Sequence, residues 1–116
     1  MFKKILVPVD LAHIDAIQRA LSTSADLARH YGAEVCYMAV TTSTPGSVAR
    51  TPEEYERKLA DFADEQRQVH GQTTASHCIN SPDPTADLDG AILETITAVG
   101  ADLVVMATHL PRHLDA

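Results

Sequence analysis

Three short apolar runs punctuate the chain: Ile5-Leu6-Val7-Pro8-Val9, Val35-Cys36-Tyr37-Met38-Ala39-Val40 and Leu103-Val104-Val105-Met106-Ala107. None alternates cleanly with polar residues. Continuous runs of this length, rich in Val and Ile and bounded by Asp or Gly, predict strands buried on both faces. A fourth run, Thr73 to Ile79, mixes in polar residues and predicts an edge strand. Helical periodicity fills the gaps. Ile17, Ala20, Leu21, Ser24, Leu27, Ala28 and Tyr31 follow an i, i+3, i+4, i+7 stripe, with Asp15 as the expected N-cap and Gly32 as the stop. Thr51-Pro52-Glu53-Glu54 reads as a capping box with proline at the first helical position. The stripe behind it is Tyr55, Leu59, Phe62 and Ala63, extended by Gln66 and Val69 and closed by Gly71. A third helix is expected from Asp87 or Asp89 to Val99, with Leu88, Ile92, Ile96 and Val99 on one face and Gly100 beyond it.

The order β-α-β-α-β-α-β predicts an open parallel sheet with helices on both faces, a Rossmann-like α/β domain. Right-handed crossovers let the first three strands grow in one direction. A return of the fourth strand to the first gives the order 3-2-1-4 and a topological switch point between those two. Ligands of such sheets bind at the carboxyl ends of the strands flanking that point. Those ends are Pro8-Val9-Asp10 and Met106-Ala107-Thr108-His109. A loop rich in Thr, Ser, Pro and Gly, Thr41 to Arg50, follows the second strand and has the length of a functional or mobile segment.

At 116 residues the chain is expected to form one domain, 1–116. Its net charge of −7 disfavours nucleic acid and acidic membrane surfaces as partners, and no basic run offsets it. The apolar run at the N-terminus is shorter than a secretory core, and no run approaches the roughly 20 residues of a membrane span. Membrane insertion is therefore not expected, and a cytoplasmic location is. Cys36 and Cys78 are too few for a disulfide framework and show no CxxC spacing.

Three separated segments carry a family resemblance. Lys4-Ile5-Leu6-Val7-Pro8-Val9-Asp10 resembles the first strand of the universal stress protein (UspA) family. Tyr31-Gly32-Ala33-Glu34-Val35 resembles the lead into its second strand, and Ala101-Asp102-Leu103-Val104-Val105-Met106 with Thr108-His109 its penultimate strand and the turn after it. Ser76 to Leu88 departs from the usual pattern. The resemblance implies a five-stranded α/β domain that commonly dimerises and serves stress resistance or regulation. Some members bind ATP, using Gly-x-x-Gly after the fourth strand and a later Gly-Ser or Gly-Thr. Those glycines let backbone amides approach phosphate at a helix N-terminus. By position, the first two correspond here to Ala107 and Leu110, and the third falls beyond Ala116. The resemblance then leaves only an adenosine side: Asp10 near ribose or base, Val40 beside adenine and Thr108 at the edge of the cradle. The expectation is that no cofactor is held, ATP entering only if a glycine loop is supplied elsewhere.

The resemblance also predicts that the last helix and fifth strand are absent, since nine residues follow Ala107 and a crossover needs more than about a dozen. The chain reads as a fragment of a longer product or as a natural short form. In either case the fourth strand leaves an apolar edge, so a homodimer or higher oligomer is expected, with a regulatory protein partner whose identity is not legible.

The remaining chemistry is sparse. Asp10 reads equally as a ribose ligand or as a cap for the turn after the first strand. Pro8 is expected to end a ladder, because it lacks an N–H. Cys36, His77 and Cys78 share no metal-ligand spacing, and neighbours on a strand point to opposite faces. His109 and His113 are four apart, but Pro111 lies between them. No GxSxG, HExxH or GxxxxGK[ST] motif occurs, and an enzyme such as a nucleotidyl transferase would need His-rich or Gly-rich signatures not present here. No catalytic or metal residue is assigned. The expected function is a non-enzymatic regulatory or protective role in the stress response. The alternative is an adenine-nucleotide-binding signalling module whose phosphate loop lies beyond residue 116.

Overall fold

The computed structural model describes residues 1–107. Four parallel strands stand in the order β3-β2-β1-β4: β1 (Lys4–Pro8), β2 (Glu34–Thr41), β3 (Thr74–Asn80) and β4 (Leu103–Val104). Helices α1 (Gln18–Tyr31), α2 (Pro52–His70) and α3 (Pro84–Val99) connect them. The sheet order, and with it the switch point between β1 and β4, agrees with the hydrophobic pattern. β3 is an edge strand among the described residues, as its mixed composition predicts.

The continuous apolar runs are explained by burial on two sides. Ile5, Val7 and Val9 of the first run, with Val35, Tyr37 and Ala39 of β2, pack beneath Leu21 and Ala28 of α1 and Leu59, Phe62 and Ala63 of α2. The intervening Leu6, Cys36 and Met38 face Ala91 and Ile92 of α3, with Leu88 and Ile96 closing the edge of that cluster. Burying both faces of one strand leaves no position for a polar residue. On β3, Cys78 joins the first cluster and Ala75 and Ile79 the second, so His77 and Cys78 point to opposite faces.

Helix ends follow short-range chemistry. Gly32, Gly71 and Gly100 all have positive φ, and each N–H returns to a carbonyl four residues earlier. The Thr51 hydroxyl accepts from the Glu54 N–H at 3.1 Å. The Glu54 carboxylate accepts from Arg50, one residue further back than an ideal capping box, and this holds its carboxyl below the usual range.

Two helix starts and one stripe residue differ from expectation. Asp15 caps nothing. The chain leaves β1 through a 3-10 segment, Leu11–Ile17, whose N-cap is Asp10, and α1 begins at Gln18 without a side-chain cap. Asp10 wins because its carboxylate lies two residues before the Ala12 N–H, within reach as soon as β1 ends. The third helix starts at Pro84 rather than at Asp87 or Asp89, because Asp83 accepts from the Ala86 N–H and proline suits the first helical position. Asp87 instead accepts from the Ser81 hydroxyl. Val69, expected on the apolar stripe of α2, is 71% exposed. It lies in the last turn, beyond the sheet face that buries Leu59, Phe62 and Ala63.

Candidate functional site

The crevice opens where β1 and β4 part. Their register covers only Ile5 with Leu103 and Leu6 with Val104, although the Val105 N–H still reaches the Leu6 carbonyl at 2.9 Å. On the other side, β1 keeps pairing with β2 to its end, and the Val9 N–H donates to the Met38 carbonyl at 2.8 Å. The Lys4 and Leu6 carbonyls accept from Asp102 and Val105, the residues flanking β4. Strand alternation puts Pro8 on that same side, where its missing N–H offers β4 nothing. Proline thus ends the β1–β4 ladder, and the two strands diverge beyond it.

Asp10 stands at the top of β1 with both carboxylate oxygens engaged. Oδ1 accepts from the Ala12 N–H at 3.0 Å, and Oδ2 lies 2.9 Å from His13 Nδ1. Both side chains are largely exposed. The His13 N–H also donates to the Asp10 carbonyl, so the turn is held once by its backbone and twice by the carboxylate. The backbone leaves helical geometry at His13, and Leu11 to Ala16 line a shallow cleft of about 380 Å³. The Tyr55 hydroxyl of α2 accepts from the Leu11 N–H at 3.2 Å, tying this segment to the core. Burial raises the Tyr55 phenol pKa, the Leu11 N–H opposes the rise, and the nearby Asp10 charge adds to it.

The other candidates surround this point from different sides. Pro8 is half-buried and Val9 is buried in the cluster beneath α1 and α2. Val40 packs against the cluster beneath α3, on the opposite face of the sheet. Met106 is 46% exposed, and Ala107 is half-buried with its methyl packed toward the same cluster as Val9. Thr108 and His109 lie outside the described residues, as do Leu110 and His113. Pro8, Val9, Asp10, Met106 and Ala107 therefore lie at the ends of adjacent strands, Val9 and Ala107 turned to the core, with Val40 one strand further on. His13 was not singled out by the sequence reading for this site. Its signal was the Asp10-x-x-His13 spacing, short enough for one turn to join the two side chains.

The second strand-end cluster is structural. Ser81 donates its backbone N–H to Thr41 at 2.7 Å and its hydroxyl to Asp87, and accepts from the Asp83 N–H, which fixes the start of α3. Among the described residues no group of three His, Cys, Asp or Glu is placed to hold a metal ion. None of their helices is long and apolar enough to cross a membrane.

The Universal stress protein family model matches residues 1–116. The chain belongs to the universal stress protein family. Solved structures share its fold. A family member from Burkholderia pseudomallei superposes with a TM-score of 0.70 at 24% identity, over 93% of this chain and 83% of that one. The universal stress protein from Archaeoglobus fulgidus gives 0.62 at 21%, over 91% and 76%. A universal stress protein solved in complex with cAMP gives 0.60 at 18%, over 90% and 75%. No curated protein matches this chain.

Of the positions that the resemblance assigns to an ATP cradle, the structure describes one, Ala107. A phosphate-binding glycine exposes bare backbone amides, whereas Ala107 carries a methyl packed toward the core. A net charge of −7 opposes a polyphosphate further.

Proposed function

We propose that this universal stress protein domain is a non-enzymatic regulatory or protective module, acting in the cytoplasm as a dimer or larger assembly with a protein partner. Its crevice takes the adenosine part of a nucleotide weakly and does not hold a triphosphate. The observation that carries this reading is Ala107, which stands where the resemblance expects a cradle glycine and packs its methyl against the core. The half-exposed Met106 beside the β4 edge supports assembly. Contacts to adenosine alone correspond to millimolar affinity, about −4 kcal/mol.

The test is titration calorimetry with Mg-ATP and with adenosine. ATP is expected to bind no tighter than adenosine. A dissociation constant for ATP at or below about 10 µM, near −7 kcal/mol, refutes the proposal. A second reading, binding of a nucleotide with one phosphate charge, draws support from the neighbour solved with cAMP. One charge needs fewer amides than three phosphates do. A cAMP affinity well above that of adenosine favours it.

A further inference from the structure

Asp10 is the only carboxylate at the end of β1, and it is already in use. We propose that His13 competes with ligand for Asp10, so that its ring sets the affinity of the crevice for ribose-bearing molecules. This inference rests on the reading of the crevice as an adenosine site.

The argument is one of acceptor capacity. A carboxylate only accepts, so the 2.9 Å contact requires that His13 Nδ1 carry the hydrogen. Oδ1 is held by a backbone N–H that caps the 3-10 segment, and releasing it would undo the turn. Oδ2 is held by a side chain that can rotate away. A ribose hydroxyl arriving at Asp10 must therefore displace or share with the imidazole, whereas the cap stays. The His13 ring is 73% exposed, so displacing it buries nothing and leaves no orphaned group. The same residue lines the cleft formed by Leu11 to Ala16, which offers the displaced ring open space within its own segment. The turn does not depend on the ring, because the His13 backbone N–H separately donates to the Asp10 carbonyl at 3.0 Å.

The experiment titrates adenosine into the full chain and follows backbone amide shifts by NMR, for wild type, His13→Ala, Asp10→Asn and the double variant. Exposed pairs of this kind are weak, so His13→Ala is expected to tighten binding about two- to fivefold. That gain is expected to vanish when Asp10 is already Asn. A second readout is free of ligand: imidazole nitrogen shifts should show the Nδ1–H tautomer in wild type and a smaller share of it in Asp10→Asn, whose neutral amide oxygen is the weaker acceptor. If wild type and His13→Ala bind adenosine equally, the competition is overturned while the adenosine site stands. A gain that persists in the Asp10→Asn background overturns it too, since His13 would then act without Asp10. If adenosine shifts no amide in any variant, the adenosine reading falls and this inference falls with it.

Discussion

Tyr37→Phe is expected to stabilise the domain. Tyr37 occupies the middle of β2 with no exposed surface, and its ring meets Phe62 edge-to-face at 5.3 Å. Its hydroxyl makes no hydrogen bond of good geometry; the buried Gln72 side-chain amide stands close enough to act on the phenol but is likewise without a well-formed partner. Burial pushes the phenol pKa up to about 12, the neighbouring Gln72 opposing it only in part. A buried donor without a partner costs about 1–3 kcal/mol, whereas the aromatic contacts remain in phenylalanine. Removing the oxygen leaves a gap smaller than a methyl group. A net gain of about 1 kcal/mol follows, or roughly 4 °C in melting temperature for a domain of 116 residues. Tyr37→Ala, which empties the site, should instead cost about 3–5 kcal/mol. Urea titration followed by circular dichroism measures both, with an unchanged slope as the sign that the comparison is valid. A Tyr37→Phe protein less stable than wild type by 1 kcal/mol or more, roughly the value of a formed hydrogen bond, refutes the reasoning. The alkaline limb offers a cross-check. The unfolded tyrosine ionises near 10.0 and the folded one near 12, so the wild type loses this share of its stability as pH rises across that window. The phenylalanine variant should lack that share of the slope.

Two further outcomes follow from the helix and strand ends. Thr51→Ala removes the cap of α2 and should cost about 1 kcal/mol in chemical denaturation, with Thr51→Ser recovering most of it. Asp102 accepts the backbone N–H groups of Lys3 and Lys4, and these hold its carboxyl below the ordinary value of 3.8. Its contribution is therefore present above that value and is lost as pH falls through the lowered one. Asp102→Asn should flatten that acid limb, and an unchanged acid titration would contradict the assignment.

Strands and sheet order were legible because double-sided burial writes itself as unbroken apolar runs, and because the crossover rule leaves few topologies. Helix starts were less legible where two candidate caps compete. Asp15 was the expected cap, but the 3-10 segment that Asp10 caps runs through it, and α1 starts only at Gln18. Asp83 prevailed over Asp87, with Pro84 fitting the first helical position. The adjacent ends of β1 and β4 could be placed from topology alone, and Pro8 explained from its missing donor. The His13–Asp10 contact was hidden, because a side-chain pairing across one turn leaves no trace in hydrophobic periodicity.

The Asp102 carboxylate joins residues 98 and 99 positions apart, whereas β1 meets β2 after a connection of about 30 residues. Closing the longer loop costs about 1 kcal/mol more in chain entropy, by the logarithmic dependence on loop length. β4 also brings the smallest return, with two residues in register. Assembly therefore favours β1, β2 and β3 as the early unit, with β4 docking onto a sheet already formed. Run in reverse, the same ordering makes β4 the first strand to detach. The wall of the crevice that carries Met106 and Ala107 is then the part of this domain most readily opened, without loss of the rest of the fold.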